Sequence, residues 1–191
     1  KIFMDFTINI WVFLILLYWP WDSETRKYED ILKVPNGGRW GTWGEIILCP
    51  TGHVNGFALK MQPSQTIWAD DTGGVNSIRL ECTDRTIIET KSGRRGNWTE
   101  FQECPRGNFI SFALNMVEHR GLLDDMAVKN IQFSCEKGTV LTGPPHNGPN
   151  FRPWSKHCHV GSICGMQVKT EEVQGWRDDT TICDVKFFCC D

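Results

Sequence analysis

Paired aspartates occur three times in this chain, at Asp70-Asp71, Asp124-Asp125 and Asp178-Asp179. Two neighbouring carboxylates are the equipment of glycoside hydrolysis, one acting as acid and the other as base or nucleophile. Each pair sits in a repeated phrase, a turn followed by an alternating run that ends in Cys82, Cys135 or Cys189. A working active site is normally unique. Turns recur with the sheets they close, and Asp at a turn accepts hydrogen bonds from its own downstream amides. The pairs are therefore read as turns, and no residue is assigned as catalytic. A calcium site at the same turns lacks any further oxygen-ligand pattern. His157-Cys158-His159 with Cys164 has zinc-capable residue types, but a metal would need both sulfurs as thiolates. No Gly-x-Ser-x-Gly, His-Glu-x-x-His or phosphate-loop motif is present, so hydrolase and nucleotide chemistry have no motif behind them.

The nine tryptophans are the other chemical excess. Trp68 and Trp176 precede Asp-Asp turns where the second copy has Leu122. They are read mainly as packing, with glycan contact as the alternative, because aromatic rings beside carboxylates can hold sugar faces. Trp40, Trp43, Trp98 and Trp154 open the repeats and are expected in the core or between sheets. Asn97-Trp98-Thr99 is the one N-glycosylation sequon, expected in a surface loop.

The elements that must carry these residues alternate with period two. Ile78, Leu80 and Cys82 share one face, with Arg79 and Glu81 on the other. Ile131, Phe133 and Cys135, and then Val185, Phe187 and Cys189, repeat the division. Such alternation between Gly- and Asp-rich turns predicts half-buried antiparallel strands, and no helical stripe follows residue 25. The units recur about every 54 residues: 36–90, 91–145, and 146–191 completed by 28–35. Thr86–Thr90 and Thr139–Thr142 supply a strand after the Cys in the first two units. The third unit ends too soon, so Ile31–Val34 is expected to complete its sheet. The fold class that follows is all-β: a β-prism of three four-stranded antiparallel Greek-key sheets with pseudo-threefold symmetry.

The charge of -3 and the scattered Lys and Arg give no footprint for nucleic acid or an acidic membrane surface. Ile10–Trp19 is an unbroken apolar run, too short for a hydrocarbon core needing ~20 residues but matching a signal-peptide core of about 7–15. Residues 1–22 are therefore expected to be a signal peptide, cleaved between Tyr18 and Thr25. Residues 23–191 are expected to form a single secreted domain with no membrane contact in its mature form. Nine cysteines fit that oxidising compartment.

The Trp40-Gly-Thr-Trp43 element, Cys49-Pro-Thr-Gly52 and Cys104-Pro-Arg-Gly107, the Asp-Asp-Thr turns and the Phe187-Phe188-Cys189-Cys190 terminus carry a resemblance. Over about residues 28–191 the chain resembles the vitelline membrane outer layer protein 1 family. It departs at Met126, at Gly73-Gly74 and at Cys183, where Thr, a shorter turn and Asn are usual. Cys49 and Cys82, Cys104 and Cys135, and Cys158 and Cys189 hold equivalent places, so a bond within one unit favours all three. The resemblance agrees, adds Cys164–Cys190 as a fourth bridge, and thereby removes zinc at Cys158 and Cys164. Cys183 is left over: a thiol outside the bridges, a bridge to another molecule, or a competitor of Cys190 for Cys164.

The resemblance implies a structural or binding component of an extracellular coat or mucin-like secretion, associating with glycoproteins or glycans and using no cofactor. The alternative it carries is a transferase acting on N-acetylglucosamine oligosaccharides, with an Asp-Asp pair, Glu118, Glu171 or Glu172 as candidates.

Overall fold

The computed structural model describes residues 26–62, 74–91, 96–118, 126–144, 151, 153–170 and 182–191. In chain order the strands are β1 (Asp30–Leu32), β2 (Thr42–Trp43), β3 (Ile47–Leu48), β4 (Val54–Gln62), β5 (Gly74–Cys82), β6 (Ile87–Glu89) and β7 (Asn97–Trp98). They continue as β8 (Gln102–Glu103), β9 (Phe109–Glu118), β10 (Met126–Cys135), β11 (Val140–Thr142), β12 (Ser162–Thr170) and β13 (Ile182–Cys190).

Three antiparallel sheets result. Sheet I runs β1-β13-β12 with β2 and β3 along its outer edge, and sheet II runs β6-β5-β4 with β7 and β8 in the same place. Sheet III is β11-β10-β9, and among the described residues its outer edge is a single bridge between Ala113 and Trp154. Four strand positions are thus visible in sheets I and II, with the outermost broken into two short pieces. The N-terminal strand β1 pairs with β13, Ile31 opposite Phe188 and Leu32 opposite Phe187, and completes sheet I.

The inward faces are the apolar sets read from the alternation. Ile78, Leu80, Ile131, Phe133, Val185 and Phe187 are fully buried. Phe133 lies at the centre, its ring 4.5 Å from Phe109, 4.9 Å from Phe57 and 5.0 Å from Phe187, so one aromatic cluster draws on all three sheets. Burying a side chain of this kind contributes roughly 1.5–3 kcal/mol.

The sequence repeat and the sheet are not the same unit. The stretch opening each repeat crosses to the edge of the neighbouring sheet: β2 and β3 join β12, β7 and β8 join β4, and Trp154 joins β9. The half-cystine that follows is hydrogen-bonded there, Cys49 N–H to the Cys164 carbonyl, Cys104 to Asn55 and Cys158 to Ile110, at 2.8–2.9 Å. Its sulfur then bonds to the long strand of its own repeat. Cys49–Cys82, Cys104–Cys135 and Cys158–Cys189 consequently staple sheet I to II, II to III and III to I. On the chain-entropy account each loop of about 30 residues stabilises by roughly 3–4 kcal/mol. Cys164–Cys190 is different, linking the adjacent strands β12 and β13 inside sheet I.

The cystine ends of the sheets meet. His53 Nε2 lies 3.1 Å from the Cys190 carbonyl, and the Ser162 hydroxyl donates to Glu136 at 2.6 Å. The far ends of the long hairpins, at Gln62 and Gly74, Glu118 and Met126, and Thr170 and Ile182, therefore lie at the other end of the prism, about 30 Å away at ~3.3 Å per residue.

Candidate functional site

The Asp-Asp pairs, Trp68, Trp176, Glu171 and Glu172 lie outside the described residues, as does the leader at 1–22. Glu118 ends β9 opposite Met126. Asn97 is exposed, on the short edge strand β7 opposite Met61 and not in a loop. Cys158 and Cys164 are both in disulfides, so neither offers a thiolate. Among the described residues no three His, Cys, Asp or Glu side chains are placed to hold a metal ion.

Cys183 belongs to none of the four bridges and is 6% exposed. The register shows why. Between Lys169↔Asp184 and Thr170↔Ile182 the β13 strand carries one extra residue, which is Cys183. Asn76 and Lys129 are the extra residues of the corresponding bulges in β5 and β10, and both are buried. The position is a triplicated bulge, and a bridge from Cys183 to a second molecule would require that bulge to open.

A cleft of about 700 Å³ is lined by Glu29, Asp30, Lys156, His157, Cys158, His159 and Val160. It lies at the seam between β1 and the segment leading out of sheet III. Lys156 Nζ donates to Asp30 Oδ1 at 2.7 Å, and the Ile31 N–H reaches the same oxygen. The hydrogen bond from Lys156 holds the Asp30 carboxyl below the usual carboxylate range. This pair joins residues 126 positions apart, and nothing in the sequence pattern marked it.

The repeat-opening tryptophans are not core residues. Trp40 is 61% exposed and Trp154 is 37% exposed. Trp43 and Trp98 are half-buried on the outer sheet faces, each beside a cation. The Arg79 guanidinium lies 3.9 Å from the Trp98 ring centre, and Lys186 Nζ lies 3.6 Å from that of Trp43. The reason is register: Trp43 pairs with Lys169 and Trp98 with Lys60, positions that point outward by the strands' alternation. Trp154 is offset by two residues along its edge. Ser155 there makes with Phe112 the paired hydrogen bonds that Thr99 makes with Leu59.

The family model for vitelline membrane outer layer protein I matches residues 30–191, beginning at the first residue of β1. The chain belongs to this family. A vitelline membrane outer layer protein 1 homolog from Mus musculus is 38% identical over 172 residues, covering 86% of this chain and 85% of the relative. The Homo sapiens homolog is 37% identical over 171 residues, covering 85% and 84%. Among solved structures, frutapin, a lectin from Artocarpus incisa, superposes with a TM-score of 0.55 at 12% identity, covering 87% of this chain and all of that one. Artocarpin in complex with mannotriose gives 0.55 at 13% identity, covering 86% and 99%. At those identities the likeness is one of fold, and it is the β-prism.

Within this vitelline membrane outer layer I frame, the tight turns after the first half-cystines are also triplicated. Gly52, Gly107 and Gly161 all take positive φ, at 66°, 78° and 59°, a conformation that disfavours any side chain. What the three sheets do not share is the chemistry of their outer faces.

Proposed function

We propose that the protein is a secreted, disulfide-locked binding protein that associates with the glycans of extracellular glycoproteins, as part of a coat or secretion, and does not turn them over. The observation that carries this reading is the placement of Trp43 and Trp98 on the outer sheet faces. An indole on an outer sheet face offers an apolar surface for the ring face of a sugar, with polar groups alongside to take its hydroxyls. The cleft at Asp30, Lys156, His157 and His159 adds a second polar surface. The interlocking disulfides suit an oxidising compartment and a rigid scaffold. In this reading residues 1–22 are the leader, 23–191 the single mature domain, and Asn97 an exposed acceptor for the protein's own glycan.

The test is capture of the purified full chain by an immobilised mucin-type glycoprotein, before and after enzymatic removal of its glycans. Loss of capture on deglycosylation is expected, together with weaker capture for Trp43→Ala and Trp98→Ala. In parallel, chito-oligosaccharides incubated with the protein should keep their length distribution. New longer or shorter products, lost on substituting a single carboxylate, would replace binding with catalysis.

A further inference from the structure

The three outer faces carry one equivalent cross-strand pair each. In sheet II, Arg79 of β5 stands opposite Glu89 of β6, and the two form a salt bridge at 2.7 Å. In sheet III, Gln132 of β10 stands opposite Thr142 of β11, and the amide donates to the hydroxyl at 2.9 Å. In sheet I, Leu32 at the end of β1 pairs with Phe187; the same register continued by one residue sets Lys33 against Lys186, and the charge of Lys33 acts on Lys186. Two faces satisfy themselves. The third sets a lysine against a lysine.

Like charges directly opposite on a sheet destabilise it. The surroundings relieve this pair only in part, through the field of Asp184. Burial, and then the like charge of Lys33, pull the Lys186 ammonium below the usual lysine range. Lys169 adds a third cation, its Nζ 5.8 Å from the Trp43 ring, and it donates to the carbonyls of Gly38 and Arg39, which are neutral acceptors. The field of Asp184 reaches all three lysines, but Asp184 is largely buried and its oxygen Oδ1 accepts from the Val185 N–H. Among the described residues none of Lys33, Lys169 and Lys186 has a carboxylate within ion-pair distance. All this occurs in a chain with a formal charge of -3.

We propose that the outer face of sheet I binds an anionic saccharide, with Lys33 and Lys186 flanking a sulfate ester or carboxylate and Trp43 beside them taking the apolar face of the sugar. An anion between the two ammonium groups supplies what Glu89 supplies in sheet II. Lys186, already drawn over the indole, ties the charged and the aromatic parts of the site together. Lys169 holds the 38–39 backbone against the face and contributes charge from the side. The face is a sheet surface, which suits one residue of a longer glycan better than a free ion. The proposal rests on the glycan-binding reading above and names the class of glycan.

The experiment is a titration of the full chain, followed by tryptophan fluorescence or calorimetry, with one oligosaccharide core in neutral, sulfated and sialylated forms. An anionic form is expected to bind about tenfold or more tightly than the neutral one, a preference that fades with added salt. Which anionic arm shows the preference identifies the group. Lys33→Glu rebuilds the sheet II pair in sheet I, and Lys33→Thr with Lys186→Gln rebuilds that of sheet III. Both variants are expected to lose the preference while melting at or above the parent's temperature, which separates loss of a site from loss of the fold. Equal binding of neutral and anionic forms, or a preference that survives Lys33→Glu, overturns the anionic site and leaves glycan binding standing. Failure to bind any form, and failure of capture by the intact glycoprotein, overturns both.

Discussion

Sheets I and II have the same skeleton and opposite surfaces. Each has two long central strands, a short strand on one side, a broken edge on the other, and an outward Trp beside a cation. In sheet II the cation, Arg79, is neutralised across the strands by Glu89, so the face is complete in itself. In sheet I the cation, Lys186, is opposed by Lys33, and among the described residues no carboxylate lies within ion-pair distance of either, Asp184 acting only through its field. What recurs in all sheets, such as the staples, bulges and glycine turns, belongs to the frame. What differs at one equivalent position is where function has room to reside.

The frame can be broken with the largest effect at its centre. Phe133→Ala removes the ring that touches Phe57, Phe109 and Phe187, and should cost about 3–5 kcal/mol in chemical unfolding, for both faces together. Replacing Cys158 and Cys189 together with Ser removes the staple between sheets III and I and should cost roughly 3 kcal/mol. The sheet I face should then lose ligand affinity before the sheet II face loses its Arg79–Glu89 pair, readable by comparing ligand titration with global melting.

A smaller effect singles out sheet I by pH. Burial, under a turn in which a Cβ on Gly37 would overlap the carboxylate, raises Asp184 from 3.8 to about 6, against the opposing pull of Lys169, Lys186 and Lys33. A folded-state value above the unfolded one means that this group's stabilisation is complete below about pH 4 and is lost as pH rises through about 6. Asp184→Asn should therefore match the parent near pH 4 and exceed it near pH 7.5, by on the order of 1 kcal/mol after solvent screening. Equal melting differences at both pH values would remove the buried carboxylate from the account.

The smallest change in stability should come from converting one face into the other. Glu89→Lys gives sheet II the like-charged pair of sheet I at a cost below about 1 kcal/mol, the usual range for a partly exposed pair. It should also add a second anionic-ligand equivalent in calorimetric titration. An unchanged stoichiometry would show that paired lysines beside a Trp are insufficient.

The alternation of Ile78, Leu80, Ile131, Phe133, Val185 and Phe187 made the sheets and their inward faces legible, because period two follows directly from the pleat. The missing strand was legible too, since Ile31–Val34 repeated the spacing of Ile87, and β1 spans Asp30–Leu32. The outward tryptophans were misread. Hydrophobicity places an indole against other atoms, but only the register of β2 on β12 and β7 on β4 turns these rings outward, where they meet the charged ends of Lys186 and Arg79. The exchange of repeat-opening segments between sheets was hidden for a related reason: a repeat identifies equivalent residues and does not say which neighbour each one joins. Lys33 and Lys186 are far apart in the chain, and their opposition exists only once β1 is placed on β13.

The most direct test of the account is a glycan array probed with the full chain and with Trp43→Ala. The account predicts selective retention on a subset of glycans, anionic ones foremost, that weakens markedly when the indole is removed. No retention on any glycan, or retention indifferent to Trp43 and to charge, would contradict it.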